Sequence, residues 1–448
     1  MSECDYNFLR FIPYTKLLCW SIRQTTRISS DKFPLRCLSD LICEKKDKYD
    51  ISNPEENYGI LGVNNQTGIF DAYIENGAKI KQKYKKMERG WIAYNPYRIN
   101  VGSVGVKNDG HRYDYISPAY VVFSCQPNLS PDFLYLSMKT DTFNKLIRES
   151  TTGSVRQTLS FNNLASINLP LPSIEDQQRI VSEYKIKIQQ AEALEKEAQQ
   201  ISEDIEKYLA MTLGMVESSY NLIFHNEYTH FSFIKYKDLN VWGTELLFTG
   251  QKRTNYKYPL LKIRDICSLG SGGTPSRSRS EYYKGNIPWI KTGEVVNEEI
   301  LDTEEHITEE AIADSSAKLY PKGSIIIAMY GQGDTRGRTA KLGVDATTNQ
   351  ACAVLYNIDT DIICTDYLWY YLQSRYHDMR SLASGNNQPN LNAGKINNYN
   401  IVVPPKEVQE EIVTYIMNQK NKAKELSSRA DDIKKEALKH FEYEIFEK

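Results

Sequence analysis

The sequence predicts an α+β fold. Two mixed α/β bodies are joined by two long antiparallel coiled-coil helices, and the whole is an internal repeat with pseudo-two-fold character. Three observations lead there. Gly153, Leu159, Leu164, Leu169, Leu171, Pro172, Glu175, Gln177, Ile180 and Val181 recur 232 residues later as Gly385, Leu391, Ile396, Ile401, Val403, Pro404, Glu407, Gln409, Ile412 and Val413. After Pro172 and after Pro404, apolar residues return at helical steps of three and four. Before each of these segments, short Val/Ile/Tyr-rich runs alternate with Gly/Asn/Asp turns, the pattern of strands.

A chain of 448 residues exceeds one typical domain. The repeat divides it into bodies at 1–172 and 216–404, each followed by a helix, at 173–215 and 405–448. An early stretch repeats too. Phe11, Ile12, Tyr14, Leu17 and Trp20 answer Phe233, Ile234, Tyr236, Leu239 and Trp242, while Pro34, Leu38, Asp40 and Leu41 answer Pro259, Ile263, Asp265 and Ile266. Within the bodies, Tyr120–Phe123, Ser324–Ala328 and Ala353–Tyr356 read as strands. Long glycine-free stretches predict helices at 131–148 and 365–383. A pseudo-symmetric chain suits a target with its own approximate two-fold, of which duplex DNA is the commonest.

The first long helix carries a seam of Tyr184, Ile188, Ala191, Leu194, Ala198, Ile201, Ile205 and Tyr208, with Glu, Lys and Gln between. Pro172 precedes it, and Glu175 and Asp176 complement the positive helix end. The second seam is Val408, Ile412, Ile416, Ala423, Leu426, Ala430, Ile433, Ala437 and Phe441. Each helix is about 60 Å long at 1.5 Å per residue. Seams this narrow want one partner helix, and the simplest is the other copy, packed antiparallel.

Net charge is −2, which argues against a uniformly basic nucleic-acid protein but allows basic faces. Lys79, Lys81, Lys83, Lys85, Lys86, Arg89, Arg98, Lys107 and Arg112 gather in the first body. Lys252, Arg253, Lys257, Lys262, Arg264, Arg277, Arg279 and Lys284 gather in the second. Such surfaces position a phosphate backbone, or are solvated faces and nothing more. The eight cysteines are scattered without zinc spacing, as expected of reduced thiols in a cytoplasmic protein. No apolar run is long enough to span a bilayer, and no signal peptide is evident at the start. The six histidines are dispersed. No methyltransferase cofactor loop and no Asn/Asp-Pro-Pro-aromatic loop is found; Asn95-Pro96-Tyr97 has one proline and reads as a turn.

The loop Gly270-Ser-Gly-Gly-Thr-Pro-Ser-Arg277 offers free N–H groups and hydroxyls that suit a phosphate, although it is neither a Walker loop nor a dinucleotide fingerprint. Its surroundings are specific. Tyr282-Tyr283 follows, then Ile287-Pro-Trp-Ile-Lys-Thr-Gly293, Ala328-Met-Tyr-Gly331, Thr335-Arg-Gly337, Ala346-Thr-Thr-Asn-Gln-Ala-Cys352, and Asn390-Leu391 before Ile401-Val-Val-Pro404. This series resembles a target-recognition domain of the specificity subunit of type I restriction-modification enzymes. The first body resembles another subtype, through Tyr94-Asn-Pro-Tyr-Arg98, Gly102-Ser-Val-Gly105, Ser117-Pro-Ala-Tyr120, and Gln157 and Leu159 before Leu169-Pro-Leu-Pro172. It lacks the glycine-threonine-proline-serine loop.

The resemblance implies a non-catalytic subunit whose two target-recognition domains each read half of a split double-stranded DNA site, with the helices setting the gap. It implies two methylation subunits that bind S-adenosylmethionine, two motor-nuclease subunits that use ATP and Mg, and no cofactor on this chain. The residues expected to touch DNA are Gly272, Gly273, Thr274, Ser276, Arg277, Lys291, Thr292, Arg336, Arg338, Lys341, Asn349 and Gln350 in the second body, with Arg98, Ser103 and Lys83 in the first. Arg suits guanine or phosphate, and Asn or Gln suits adenine. For Asn349 and Gln350 a buried amide pair tying two strands is the other reading. A coiled-coil scaffold that binds proteins without DNA specificity is the competing function.

Overall fold

A computed structural model describes residues 30, 32–151, 158–219, 224–225, 232–233, 252–331, 333–382 and 391–446. The early repeat at 11–20 and 234–242, and Gly153, Gln157, Gly385 and Asn390, lie outside them. The chain divides into two compact units, one of residues 1–195 and 427–448, the other of 196–426.

In the first unit a four-stranded sheet holds β1 (Ile42–Glu44), β2 (Ile92–Tyr94), β3 (Val104–Val106) and β4 (Val121–Cys125), in the order β1-β4-β2-β3. In the second unit β5 (Ser268–Ser271), β6 (Ile325–Ala328), β7 (Thr339–Leu342) and β8 (Cys352–Tyr356) take the equivalent order β5-β8-β6-β7, and Glu299–Ile300 adds a parallel strand beside β7. The repeat seen in the residues is therefore a repeat of topology. Each body is closed by a clasp of two strands, Leu35–Cys37 with Asn168–Pro170 and Leu260–Lys262 with Asn400–Val402. Beyond each clasp one further bond follows, Leu171 N–H to Pro34 O and Val403 N–H to Pro259 O, both 2.9 Å.

The units differ in what flanks the common sheet. The first carries a five-stranded sheet dominated by the hairpin Asn57–Val63/Ile69–Asn76. The second carries three short strands, His306–Ile307, Ile287–Ile290 and Thr347–Thr348. The stretch expected as one helix at 131–148 is two, Pro131–Lys139 and Asp141–Ser150. Thr140 breaks it with extended backbone, and its hydroxyl caps the second helix at Phe143 N–H (3.3 Å). The stretch at 365–383 likewise divides at Arg375 into Thr365–Ser374 and Tyr376–Ser381.

The long helices are α1 (Ile174–Thr212) and α2 (Lys406–Phe446). Ser173 caps α1, accepting from Asp176 N–H at 3.1 Å. In the first unit Arg179 pairs with Glu444 (3.5 Å), the Tyr184 ring meets Phe441 (6.2 Å), and Glu195 pairs with Lys434 (2.7 Å). In the second, Glu197 pairs with Lys422 (2.9 Å) and Tyr208 stacks on Tyr415 (3.9 Å). Numbers rise along one helix as they fall along the other, so the pairing is antiparallel. Of the seam, Ala191, Ala198, Ile201, Ile412, Ile416, Ala430, Ala437 and Phe441 are buried. Tyr184, Ile188, Leu194, Ile205, Leu426 and Ile433 are half-buried, as suits a two-helix seam with solvent on either side.

Each body packs on this pair. Ile180, Val181, Phe441 and Ile445 join a core of Tyr94, Phe123, Phe133 and Phe143. Leu209, Leu213, Ile412 and Ile416 join Ile325, Leu355, Tyr367 and Tyr371. A fully buried side chain of this size contributes about 1.5–3 kcal/mol, so the helices are stabilised chiefly by these contacts.

Candidate nucleic-acid interface

Antiparallel pairing brings one edge of the common sheet to a cluster of loops. In the second unit β5 and β6 end at that edge and β7 and β8 begin there, because Ser271 pairs with Ala353, Ala328 with Cys352 and Ile327 with Thr339. The loops 272–277, 329–338 and 349–351 therefore emerge side by side. Hydrogen bonds stitch them: Gly273 N–H to Thr348 O, Met329 N–H to Ala351 O and Ala328 N–H to Arg338 O, all 2.9 Å, with Thr274 Oγ1 donating to Gln350 Oε1. Asn349 N–H to Ile290 O (3.0 Å) adds Lys291 to the same edge.

Arg277 is the best-defined cation there. Its guanidinium lies 4.1 Å from the centre of the Tyr283 ring and 4.9 Å from that of Trp289, and bonds Glu305 at 2.6 Å. Glu305 also takes Lys291 at 3.1 Å, and Lys291 reaches Glu304 at 2.9 Å. The hydrogen bond from Arg277, with Lys291 behind it, holds the Glu305 carboxyl below its usual range. Rings and carboxylate together favour one orientation of Arg277, which lowers the cost of ordering it for a ligand.

Thr274, Ser276 and Gln350 are exposed, and Ser276 bonds Ser278 at 2.8 Å. Asn349 is half-buried; its side-chain oxygen accepts from Ala351 N–H (3.1 Å), a local turn rather than a strand-tying amide pair. Thr292 is half-buried in the turn after Lys291. Arg336 and Arg338 are half-buried in the 329–338 loop, and Arg338 is 3.9 Å from Asp334. That loop is held from below by Tyr376, which donates to Asp334 O (2.7 Å), and by Arg380, which donates to Gly333 O (2.9 Å) and Arg336 O (3.2 Å).

Several expected contacts are corrected. Gly272 and Gly273 are buried, and the Gly273 N–H is used by Thr348. A Cβ at Gly272 would lie 2.0 Å from Thr348 O, and one at Gly273 2.3 Å from Ala317 N. These glycines permit close backbone packing, and the Gly273 N–H is already taken by Thr348 O. Lys341 sits two residues down β7, with a side chain 18% exposed, paired to Asp366 (2.8 Å) and Glu299 (3.5 Å). It ties sheet to helix. Ser103 is buried and donates to Val63 O (3.2 Å).

In the first unit the same edge carries the loops 45–47, 95–103 and 117–120. Arg98 and Lys83 are exposed. The basic run is less basic outward than its sequence suggests. Lys85 is buried and donates to Tyr120 O (2.8 Å); Lys107 is buried between Met87 O (2.9 Å) and Asp114. Arg89 pairs with Asp109 (2.7 Å) and Arg112 with Asp71 (3.2 Å). Sequence reading missed Lys45, whose ammonium lies over Trp91 at 4.9 Å. In the second unit it missed Glu305, Tyr283, Trp289 and Arg380. The tyrosine and tryptophan stood inside recognised motifs, but nothing local marked Glu305 as the partner of Arg277.

Among the described residues no group of three His, Cys, Asp or Glu is placed to hold a metal, and no helix is long and apolar enough to cross a membrane.

The family model described as the type I restriction modification DNA specificity domain matches this chain twice, at residues 31–203 and 256–432. The MjaIX specificity subunit of Methanocaldococcus jannaschii is 29% identical over 180 residues, which span 39% of this chain and only 40% of that relative. The HindI specificity subunit of Haemophilus influenzae is 25% identical over 369 residues, 73% of this chain and 79% of the relative. A chain from a solved structure on complex assembly of the type I R-M system has the same fold, with a TM-score of 0.56 and 14% identity, covering 93% of this chain and 96% of that one. The chain thus belongs to the family of type I restriction modification DNA specificity domains.

Proposed function

We propose that this chain is the DNA-reading specificity subunit of a type I restriction-modification system. Its target-recognition domains are 1–172 and 216–404, connected by the helical segments 173–215 and 405–448. Each domain reads one half of a bipartite double-stranded site through the loops at its sheet edge. One observation carries this reading: two copies of a single strand order, in a chain of this family, bear unlike loops at the same edge. A doubled scaffold with different loops suits a target of two different halves.

In the second domain Arg277, Lys291, Arg336, Arg338, Thr274, Ser276, Thr292, Asn349 and Gln350 are the candidates for contact. In the first, Arg98 is the candidate within the edge loops, and Lys83, just ahead of Tyr84–Lys86 in the five-stranded sheet, is a candidate outside them. Arginine forks suit guanine or phosphate, and Gln350 suits an adenine edge. The chain itself is not catalytic. Two methylation subunits bring S-adenosylmethionine and modify an adenine in each half; two motor-nuclease subunits bring ATP and Mg. The complex works in the cytoplasm.

Titration of the full chain against duplex DNA at rising salt tests the reading. Contact with several phosphates makes log K fall linearly with log salt at slope about −0.9 per phosphate. A protein scaffold gives no duplex binding at any salt. A second assay, the pure chain with labelled S-adenosylmethionine and DNA, is expected to give no methyl transfer; transfer would contradict the non-catalytic assignment.

A further inference from the structure

The loops that join β2 to β3 and β6 to β7 differ in sequence and length but share a frame. Leu159 N–H donates to Pro96 O (3.1 Å), and its repeat partner Leu391 donates to Met329 O (3.3 Å). Gly102 and Gly337 close the loops in left-handed backbone, at φ 84° and 88°. Asn95 N–H bonds Ser103 O and Ala328 N–H bonds Arg338 O, each acceptor following its glycine. Pro96 therefore matches Met329, and the next residue in each loop is a tyrosine. Tyr97 is 59% exposed and Tyr330 is 41% exposed. Their neighbours do not match: Arg98 follows one and Gly331 the other.

The part of a large ring left in water adds nothing to the fold. Here it stands at the equivalent point of both units, on loops fixed from beneath. Asn95 accepts from Tyr97 N–H (3.0 Å), Lys139 holds Gly102 O (2.7 Å), and Tyr376 and Arg380 hold the other loop. Arg98 follows Tyr97 in the chain and is exposed, and Arg336 and Arg338 are half-buried residues of the loop that carries Tyr330. An exposed π-face on a loop that also carries arginine fits a nucleobase flanked by phosphates.

We propose that Tyr97 and Tyr330 are a matched pair of base-stacking residues, one for each half-site. Each ring packs on a base face uncovered when a neighbouring nucleotide leaves the stack, as chemistry on an adenine requires. The assignment rests on the DNA-reading function above, and it names a contact common to both halves where the other loop residues differ.

The test uses the full chain assembled with its methylation subunits and S-adenosylmethionine, and a duplex carrying the host's mapped methylation motif, alongside duplexes with either half scrambled. Tyr97→Ala is expected to weaken motif binding about tenfold, and Tyr330→Ala likewise. Each loss is expected to vanish when one half, a different half for each variant, is scrambled. Tyr→Phe variants, which keep the ring face, are expected to bind as the unaltered chain does. With 2-aminopurine beside the modified adenine, the unaltered chain is expected to quench its fluorescence and the alanine variants to quench less. Unchanged affinity and quenching in both alanine variants would overturn the pairing. So would a Phe loss equal to the Ala loss, or loss of a methylation subunit with DNA binding intact, which would make this a protein-docking surface. If the unaltered chain fails to distinguish motif from scrambled duplex, DNA reading falls first and the tyrosine assignment with it.

Discussion

Gln177 and Gln409 make the same three hydrogen bonds in the two units. Gln177 accepts from Ser130 N–H (2.8 Å) and donates to Asn128 O and Pro172 O, both at 3.0 Å. Gln409 accepts from Cys364 N–H (2.7 Å) and donates to Ile362 O (3.1 Å) and Pro404 O (2.8 Å). Both are fully buried. Each amide rivets the first turn of a long helix to the loop ahead of its body's main helix. A buried group left without its partner costs about 1–3 kcal/mol, so each clamp is expensive to remove.

Gln409→Leu keeps the volume and orphans three backbone groups. The expected result is destabilisation of about 3 kcal/mol in the second unit. Amide hydrogen exchange checks it: Cys364 N–H should lose protection in Gln409→Leu while Ser130 N–H keeps it, and Gln177→Leu should do the reverse.

The repeat made these two residues visible in the sequence, as it did Leu159 and Leu391, because a residue kept at one spacing in two diverged copies marks the shared frame. The long helices were legible too, since their seams need no knowledge of the bodies. Contact roles were less legible. Glu305 lies 28 residues from Arg277, and their pairing depends on the register of short strands that periodicity does not set. Lys85 and Lys107 read as surface cations until burial and the bonds to Tyr120 O and Met87 O place them inside. Gly272 and Gly273 read as a phosphate loop because open glycines and crowded ones look the same in a sequence. The break at Thr140 was legible in principle, since a threonine followed by aspartate is an N-cap signal.

Glu305→Gln removes the charge that neutralises Arg277 and Lys291. Non-cognate duplex binding should tighten, and the salt slope should steepen by roughly one, as one more cation becomes free to meet phosphate. Discrimination against a mismatched half-site should fall, because Arg277 loses its orienting partner. Anisotropy titrations at several salt concentrations measure both.

The same carboxylate gives a pH dependence. Its folded value lies below its unfolded one, so its stabilising contribution is present above the ordinary glutamate value near ~4.3 and is lost as pH falls through the depressed folded value. Thermal unfolding of the unaltered chain and of Glu305→Gln should therefore differ at neutral pH and converge in acid below that window. The difference is small, since both partners are partly exposed.

Gly272→Ala puts a methyl 2.0 Å from Thr348 O, where backbone must move; Gly293→Ala meets nothing within 4 Å. The first should destabilise the second unit by at least about 1–3 kcal/mol and disorder the Thr274–Gln350 contact, and the second should be close to neutral. Denaturant midpoints of the two variants provide the comparison.

Genome-wide mapping of methylated adenines in the host, with the gene intact and deleted, tests the central claim most directly. The expected result is one split motif, methylated in both halves, that disappears on deletion and in which Arg277→Ala disturbs one half alone. Methylation unchanged by deletion, or lost only from an uninterrupted motif, would contradict it.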